Sequence, residues 1–192
     1  MSRDEATPTN PAVATTGTLQ DALYDFALVY GLPALDGARV FHANQNRMSL
    51  PPAMEEYAVI DVLTAVRRGT AVSYMIPGEG GEPDKYMVGS LFEYLVQIDF
   101  YSEDEKARQR AMTVANIGRS SMGPRFFRRY GCSLLYAGDP RDMAFVGDAN
   151  QYVQRWMVEL RVTMPEMTTV DLPGFDTVAI SRVEDVDAHH KP

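Results

Sequence analysis

The chain has 192 residues, 45% of them hydrophobic, which suits one compact domain with arms and leaves too little material for two full domains. Its 18 Lys and Arg against 26 Asp and Glu give a formal charge of −8, which argues against a protein that wraps nucleic acid, because neutralising phosphates requires concentrated cations. The single cysteine, Cys132, excludes an internal disulfide and a cysteine-rich zinc site, and fits assembly in a reducing cytosol.

Residues 1–17 are rich in Thr, Pro, Ala and Asn and hold almost nothing large and apolar, so a flexible N-terminal arm is expected. They also lack the basic-then-apolar order of a secretory leader, and no stretch of the chain approaches the roughly 18 to 20 apolar residues of a membrane span, so a soluble protein with no membrane contact is expected. A first helix should open at Thr18 as cap, with Asp21 as partner, and run Leu19, Ala22, Leu23, Phe26, Ala27 and Tyr30 down one face until Gly31 and Pro33 stop it. The run Arg39–Ala43 reads as a strand, and the polar stretch ending in Pro51-Pro52 reads as a loop.

Tyr57–Arg68 and Thr70–Ile76 are β-branched and aromatic, and Gly69 between them predicts either two strands or one long strand with a bulge. Pro77–Lys85, PGEGGEPDK, reads as the tip of a long β-hairpin. Leu91–Tyr101 alternates Tyr94, Val96, Ile98 and Phe100 with Glu93, Gln97 and Asp99, the period of a half-buried strand. Ser102–Glu105 is a capping-box sequence with acids in the first turn of a second helix, whose small face, Ala107, Ala111, Val114, Ala115 and Gly118, suits close packing on a sheet. Short strands are expected in CSLLY and MAFV around the Gly138-Asp139-Pro140 turn, and a strong one in Gln154–Met164. After Pro165 the pattern weakens into an acidic tail. The sum is α+β, a mainly antiparallel sheet with two helices on one face, divided into an arm at 1–17, a domain at 18–165 and a C-terminal arm at 166–192.

The search for chemistry yields little. His189 and His190 sit in the tail beside Asp185 and Asp187 with no preorganised geometry, so no metal site and no cofactor is expected. Gly78-Glu79-Gly80-Gly81 lacks the helix start and terminal Lys of a phosphate loop. Asp61, Glu93, Asp99 and Glu159 read as charges on an exposed sheet face, with paired acid–base work as the rival reading. Cys132, beside Leu134 and Leu135, reads as a buried apolar residue. A small hydrolase using His42, Asp61 or Cys132 stands as the alternative from another class. The expectation is a protein that is not an enzyme. Expected interface residues are Glu79, Glu82, Asp84 and Lys85 at the hairpin tip, Arg125, Phe126, Arg128 and Arg129 in the basic-aromatic run, and Asp171 and Phe175 in the tail.

Leu95–Tyr101, the helix after it, Leu135–Met143 with its Asp139-Pro140-Arg141 turn, and Asn150–Met157 together resemble the phage neck or tail-terminator family. Asn44–Arg47, Pro51-Pro52 and Glu56–Ile60 extend the resemblance upstream, so that it spans about residues 18–180. The resemblance implies a terminator-like fold that forms a ring, hexameric in expectation. The ring would cap the tail tube, meet head-completion or connector proteins and the sheath where one exists, and leave a channel through which DNA passes without sequence-specific binding. Such a protein would assemble in the host cytoplasm and reside in the virion. A baseplate or tube-associated subunit is the alternative within assembly proteins.

Overall fold

The computed structural model describes residues 16–33, 39–43, 51, 55–79, 82–102, 104–146 and 152–171. Helix α1 (Thr16–Phe26) continues into a π-helical turn (Ala27–Gly31) and is followed by strand β1 (Val40–His42), β2 (Tyr57–Ile76) and β3 (Lys85–Ser102). Helices α2 (Lys106–Arg119) and α3 (Met122–Arg128) come next, then β4 (Ser133–Ala137), β5 (Arg141–Asp142), β6 (Phe145–Val146) and β7 (Tyr152–Asp171). The sheet order is β1-β2-β3-β7-β4, with β5 and β6 also paired to β7. Every pairing is antiparallel except β1 with β2. The α+β class stands as expected; among the described residues the α-helices are three, not two.

Helix α1 buries Leu19, Ala22, Leu23 and Phe26. It begins at Thr16, two residues before the expected start. The exit is as expected: Leu32 N–H donates to the carbonyls of Ala27 (3.0 Å) and Leu28 (3.2 Å), and Pro33 cannot extend the ladder. At α2 the acids precede the first turn and do not occupy it. Ser102 Oγ accepts from Ala107 N–H at 2.8 Å, and Asp104 Oδ1 accepts from Lys106 N–H at 3.1 Å. The small face of α2 is buried as expected, and a Cβ built on Gly118 would lie 2.7 Å from Ala137 Cβ, so this glycine lets the helix rest against β4.

Helix α3 was not foreseen because seven residues make too few turns for a periodic signal. Phe126 and Phe127 are buried, and Gly131, at φ 71°, turns the chain out of the α3 end toward β4.

Strand β2 is one strand of 20 residues, with Gly69 at φ 85° and a register break between Arg68 and Val72, which is the bulged form of the expected pair. Strand β3 reaches back to Lys85, burying Met87 and Gly89 near the tip before the expected alternation of Tyr94, Val96 and Ile98 sets in, and β7 runs through Pro165 to Asp171. Pro165 stands just past the last β4 pairing, Ser133 with Thr163, where β7 has lost one neighbour and a residue without an N–H is tolerated.

The core lies between the helices and one sheet face. The register aligns Ile60, Ile98 and Val158 in one row, Val96 with Leu160 in the next and Tyr94 with Val162 in a third, all buried against the helices. Beyond this covered part, β2, β3 and β7 continue as a three-stranded ribbon, and every β2 residue from Leu63 to Ser73 is exposed. At ~3.3 Å per residue, β2 is roughly 65 Å long, far longer than α2. Among the described residues no helix is long and apolar enough to cross a membrane.

Candidate assembly surfaces

The sheet face away from the helices carries a balanced set of charges. Asp99, on β3, is buried and accepts from Arg155 Nε (3.0 Å) and Nη2 (2.9 Å) and from Gln97 Nε2 (2.8 Å). Glu93 receives Arg68 Nε at 2.9 Å and Arg161 Nη1 at 3.3 Å, and its hydrogen bond from Arg68 holds its carboxyl below the usual range. Glu159 meets Arg141 at 3.4 Å. Three of the four carboxylates once open to an acid–base reading are therefore engaged by arginines, while Asp61 stands opposite Gln97 in the register. At one end of this face Tyr57 and Tyr101 stack with centroids 4.5 Å apart, and burial pushes the Tyr57 phenol up to about 12.

The hairpin tip gathers the expected residues. Asp84 Oδ1 accepts from Gly78 N–H at 2.8 Å, and Lys85 Nζ lies 3.5 Å from Glu82. Glu79, Glu82 and Asp84 against Lys85 leave the tip acidic. Asp171, at the end of β7, pairs through its backbone with Lys85, which brings that residue to the base of the same tip. Phe175, His189 and His190 lie outside the described residues, as does the loop of residues 44–50.

The basic-aromatic run divides by burial. Phe126 is 3% exposed and stands in a cluster of rings with Phe26, Phe127 and Tyr30, while Arg125, Arg128 and Arg129 are exposed. The Arg129 guanidinium lies 4.5 Å from the Phe126 ring centroid. With Tyr30, Met122 and Arg125 these two line a shallow cleft, so Phe126 contributes its floor and the arginines its rim. Behind it the Tyr130 hydroxyl donates to the Asp25 carboxylate, ties the α3 exit to α1, and is pushed up to about 12 by that carboxylate.

The residues of the hydrolase alternative are dispersed. The register puts His42 opposite Ile60, on the helix side, while Asp61 follows Ile60 in β2 and faces the other way. Cys132 is buried, with Sγ 3.5 Å from Met164 Sδ, and burial pushes its thiol up to about 11. Among the described residues no group of three or more His, Cys, Asp or Glu could hold a metal ion.

What sequence reasoning missed is the exposed apolar ribbon: Leu63, Val66, Val72, Met75, Leu91 and Val170 are all more than two-fifths exposed. The signal was present, since β2 is apolar on both faces where a half-buried strand would alternate.

A family model described as phage neck terminator protein matches residues 17–191. The chain belongs to the phage neck terminator family. It is thus a structural protein of the phage neck, in agreement with the resemblance carried by its β3, turn and β7 segments. Among solved structures, a chain from the virion of a native gene transfer agent particle is similar at 17% identity, with a TM-score of 0.34, over 80% of this chain and 99% of that one. No curated protein sequence matches the chain.

Proposed function

We propose that this neck terminator protein is one subunit of a ring, a hexamer of identical copies, that closes the tail tube and joins it to the head-completion or connector proteins. The observation that carries this reading is the family match over residues 17–191, nearly the whole chain. The architecture supports it: a compact helix-on-sheet body holds a long ribbon whose acidic tip, Glu79, Glu82 and Asp84, projects away from the core. In the ring the tip and the chain after Asp171 reach the tube, the connector or, in contractile tails, the sheath, while Arg125, Arg128 and Arg129 form a second contact.

DNA passes through the bore without sequence-specific binding. Because the outer sheet face balances its acids with arginines, the excess negative charge that keeps DNA from sticking resides at the hairpin tips and the termini, and these face the bore. Assembly takes place in the host cytoplasm, and the ring remains in the virion.

A cryo-electron-microscopy reconstruction of the particle with this chain traced tests the reading. Six copies around the channel between tail tube and connector, with an acidic bore, are expected. A chain traced in the baseplate or along the tube would overturn the assignment, and a neutral or basic bore would overturn the electrostatic part.

A further inference from the structure

The ribbon beyond the helical layer has two open edges of opposite character. Strand β1 covers β2 only at Ala58–Ile60, so from Asp61 to Ile76 the far side of β2 has no strand neighbour among the described residues. Strand β7 is covered by β4, β5 and β6 only as far as Thr163, so from Met164 to Asp171 its far side also has no strand neighbour among the described residues. Such rows of free N–H and C=O groups template the addition of another strand. Both edges are blunted only locally, β2 by the register break between Arg68 and Val72 and β7 by Pro165, and the β2 edge keeps Leu63, Val66 and Val72 bare at 42%, 47% and 66% exposure.

We propose that these edges join copies of the chain: the β2 edge of one copy pairs with the distal β7 edge of the next. The inference rests on the ring reading and names its junction. Charge selects the arrangement. Between Leu63 and Ile76 the only charged residues are Arg67 and Arg68; between Met164 and Val170 the only one is Glu166. The register puts Arg67 in the row of Phe92 and Met164, and Glu166 two residues on in β7, so the two point to the same face of the sheet. Glu166 is already steered by the hydroxyl of Tyr94, which donates to it.

Direction agrees with charge. Both β2 and β7 run antiparallel to β3, hence parallel to each other, so a neighbour in the same orientation adds a parallel strand. The contact uses two different surfaces of one chain, the heterologous kind that closes into rings. A two-fold pairing of β2 with β2 would instead bring Arg67 of one copy toward Arg67 of the other, since Arg68 is already held by Glu93, and like charges across a strand pair repel.

The test uses the full chain and sedimentation velocity over a concentration series. Arg67→Glu and Glu166→Arg are each expected to raise the concentration of half-assembly by about tenfold or more, and the two together to return it close to wild type. Thermal melting checks that each variant is folded, and Arg67→Glu, at an exposed position, keeps the test valid if loss of the Tyr94 contact unfolds the other. If wild type assembles and both single variants assemble at the same concentration, the edges are not the junction, while the ring reading stands. If Ala71→Cys alone oxidises to a covalent dimer, β2 edges meet each other and the heterologous pairing is wrong. A wild-type chain that stays monomeric to several hundred micromolar overturns edge pairing as a self-assembling contact, and the particle reconstruction decides separately whether the ring reading falls with it.

Discussion

Removing the arginine that holds Asp99 is the sharpest test of how the outer sheet face is built. Arg155→Met keeps much of the aliphatic stem beside Tyr101 and deletes two of the three donors that reach the Asp99 carboxylate. Breaking a buried ion pair from one side costs about 3 to 5 kcal/mol, because an uncompensated charge is left behind. Asp99 qualifies as the buried partner, its side chain 6% exposed, but that of Arg155 is 28% exposed and water can partly replace it. The expected loss is therefore about 2 to 3 kcal/mol, below the buried-pair range. At roughly 2 to 4 °C per kcal/mol for a domain of this size, the melting temperature should fall by about 4 to 12 °C. Melting is followed by circular dichroism at fixed protein concentration, since self-association raises the apparent stability by mass action. Asp99→Asn combined with Arg155→Met should lose less than the sum of the single changes, because removing the charge removes most of the need for its partner. A melting temperature for Arg155→Met within about 1 °C of wild type, or strict additivity in the double variant, refutes the account.

Gly118→Ala should destabilise the α2–β4 contact by about 1 to 2 kcal/mol, since overpacking at the 2.7 Å approach to Ala137 outweighs the helix-propensity gain; an unchanged urea midpoint contradicts this. Burial lowers the His42 pKa below 6.5, so the unfolded chain takes up a proton that the folded chain refuses. The stability this contributes is complete above that value and is lost as the pH falls. His42→Asn should therefore lose less stability than wild type between about pH 7.5 and about pH 5.5 in urea denaturation, and an equal loss refutes the assignment. With its thiol raised from 9.0 to about 11, Cys132 should react with iodoacetamide near neutral pH about a hundredfold more slowly in the native protein than after denaturation. Comparable rates would mean the site between α3 and β7 is open.

The expectations that held are those in which one strong local signal acts alone. Alternation placed Leu91–Tyr101 and Gln154–Met164 on strands with the apolar side inward, and the small residues of α2 marked the face that rests on them. Gly69 marked the bulge because a positive φ there suits glycine. Misses fall where signals are short or where the neighbour decides. Seven residues of α3 carry too little periodicity to show as a helix. The continuation of β7 past Pro165 was invisible because proline normally argues against a strand, and only the end of β4 at that point makes it tolerable.

By itself the sequence determined α1, α2 and the long strands, the apolar face of α1, α2, β3 and the first part of β7, the acidic charge, and a pattern of β3, turn and β7 segments specific enough to point to the neck terminator family. Those are properties of residue order, read one segment at a time. The tertiary structure decided which charges neutralise one another and which apolar residues go uncovered. Arg155 reaches Asp99 from 56 positions away, and Glu93 takes arginines from two different strands. The ribbon lies bare because its strands outrun the helices, which cover only the end of the sheet away from the hairpin tip. Such facts depend on strand register and on the relative lengths of packed layers, neither of which any one segment of the chain carries.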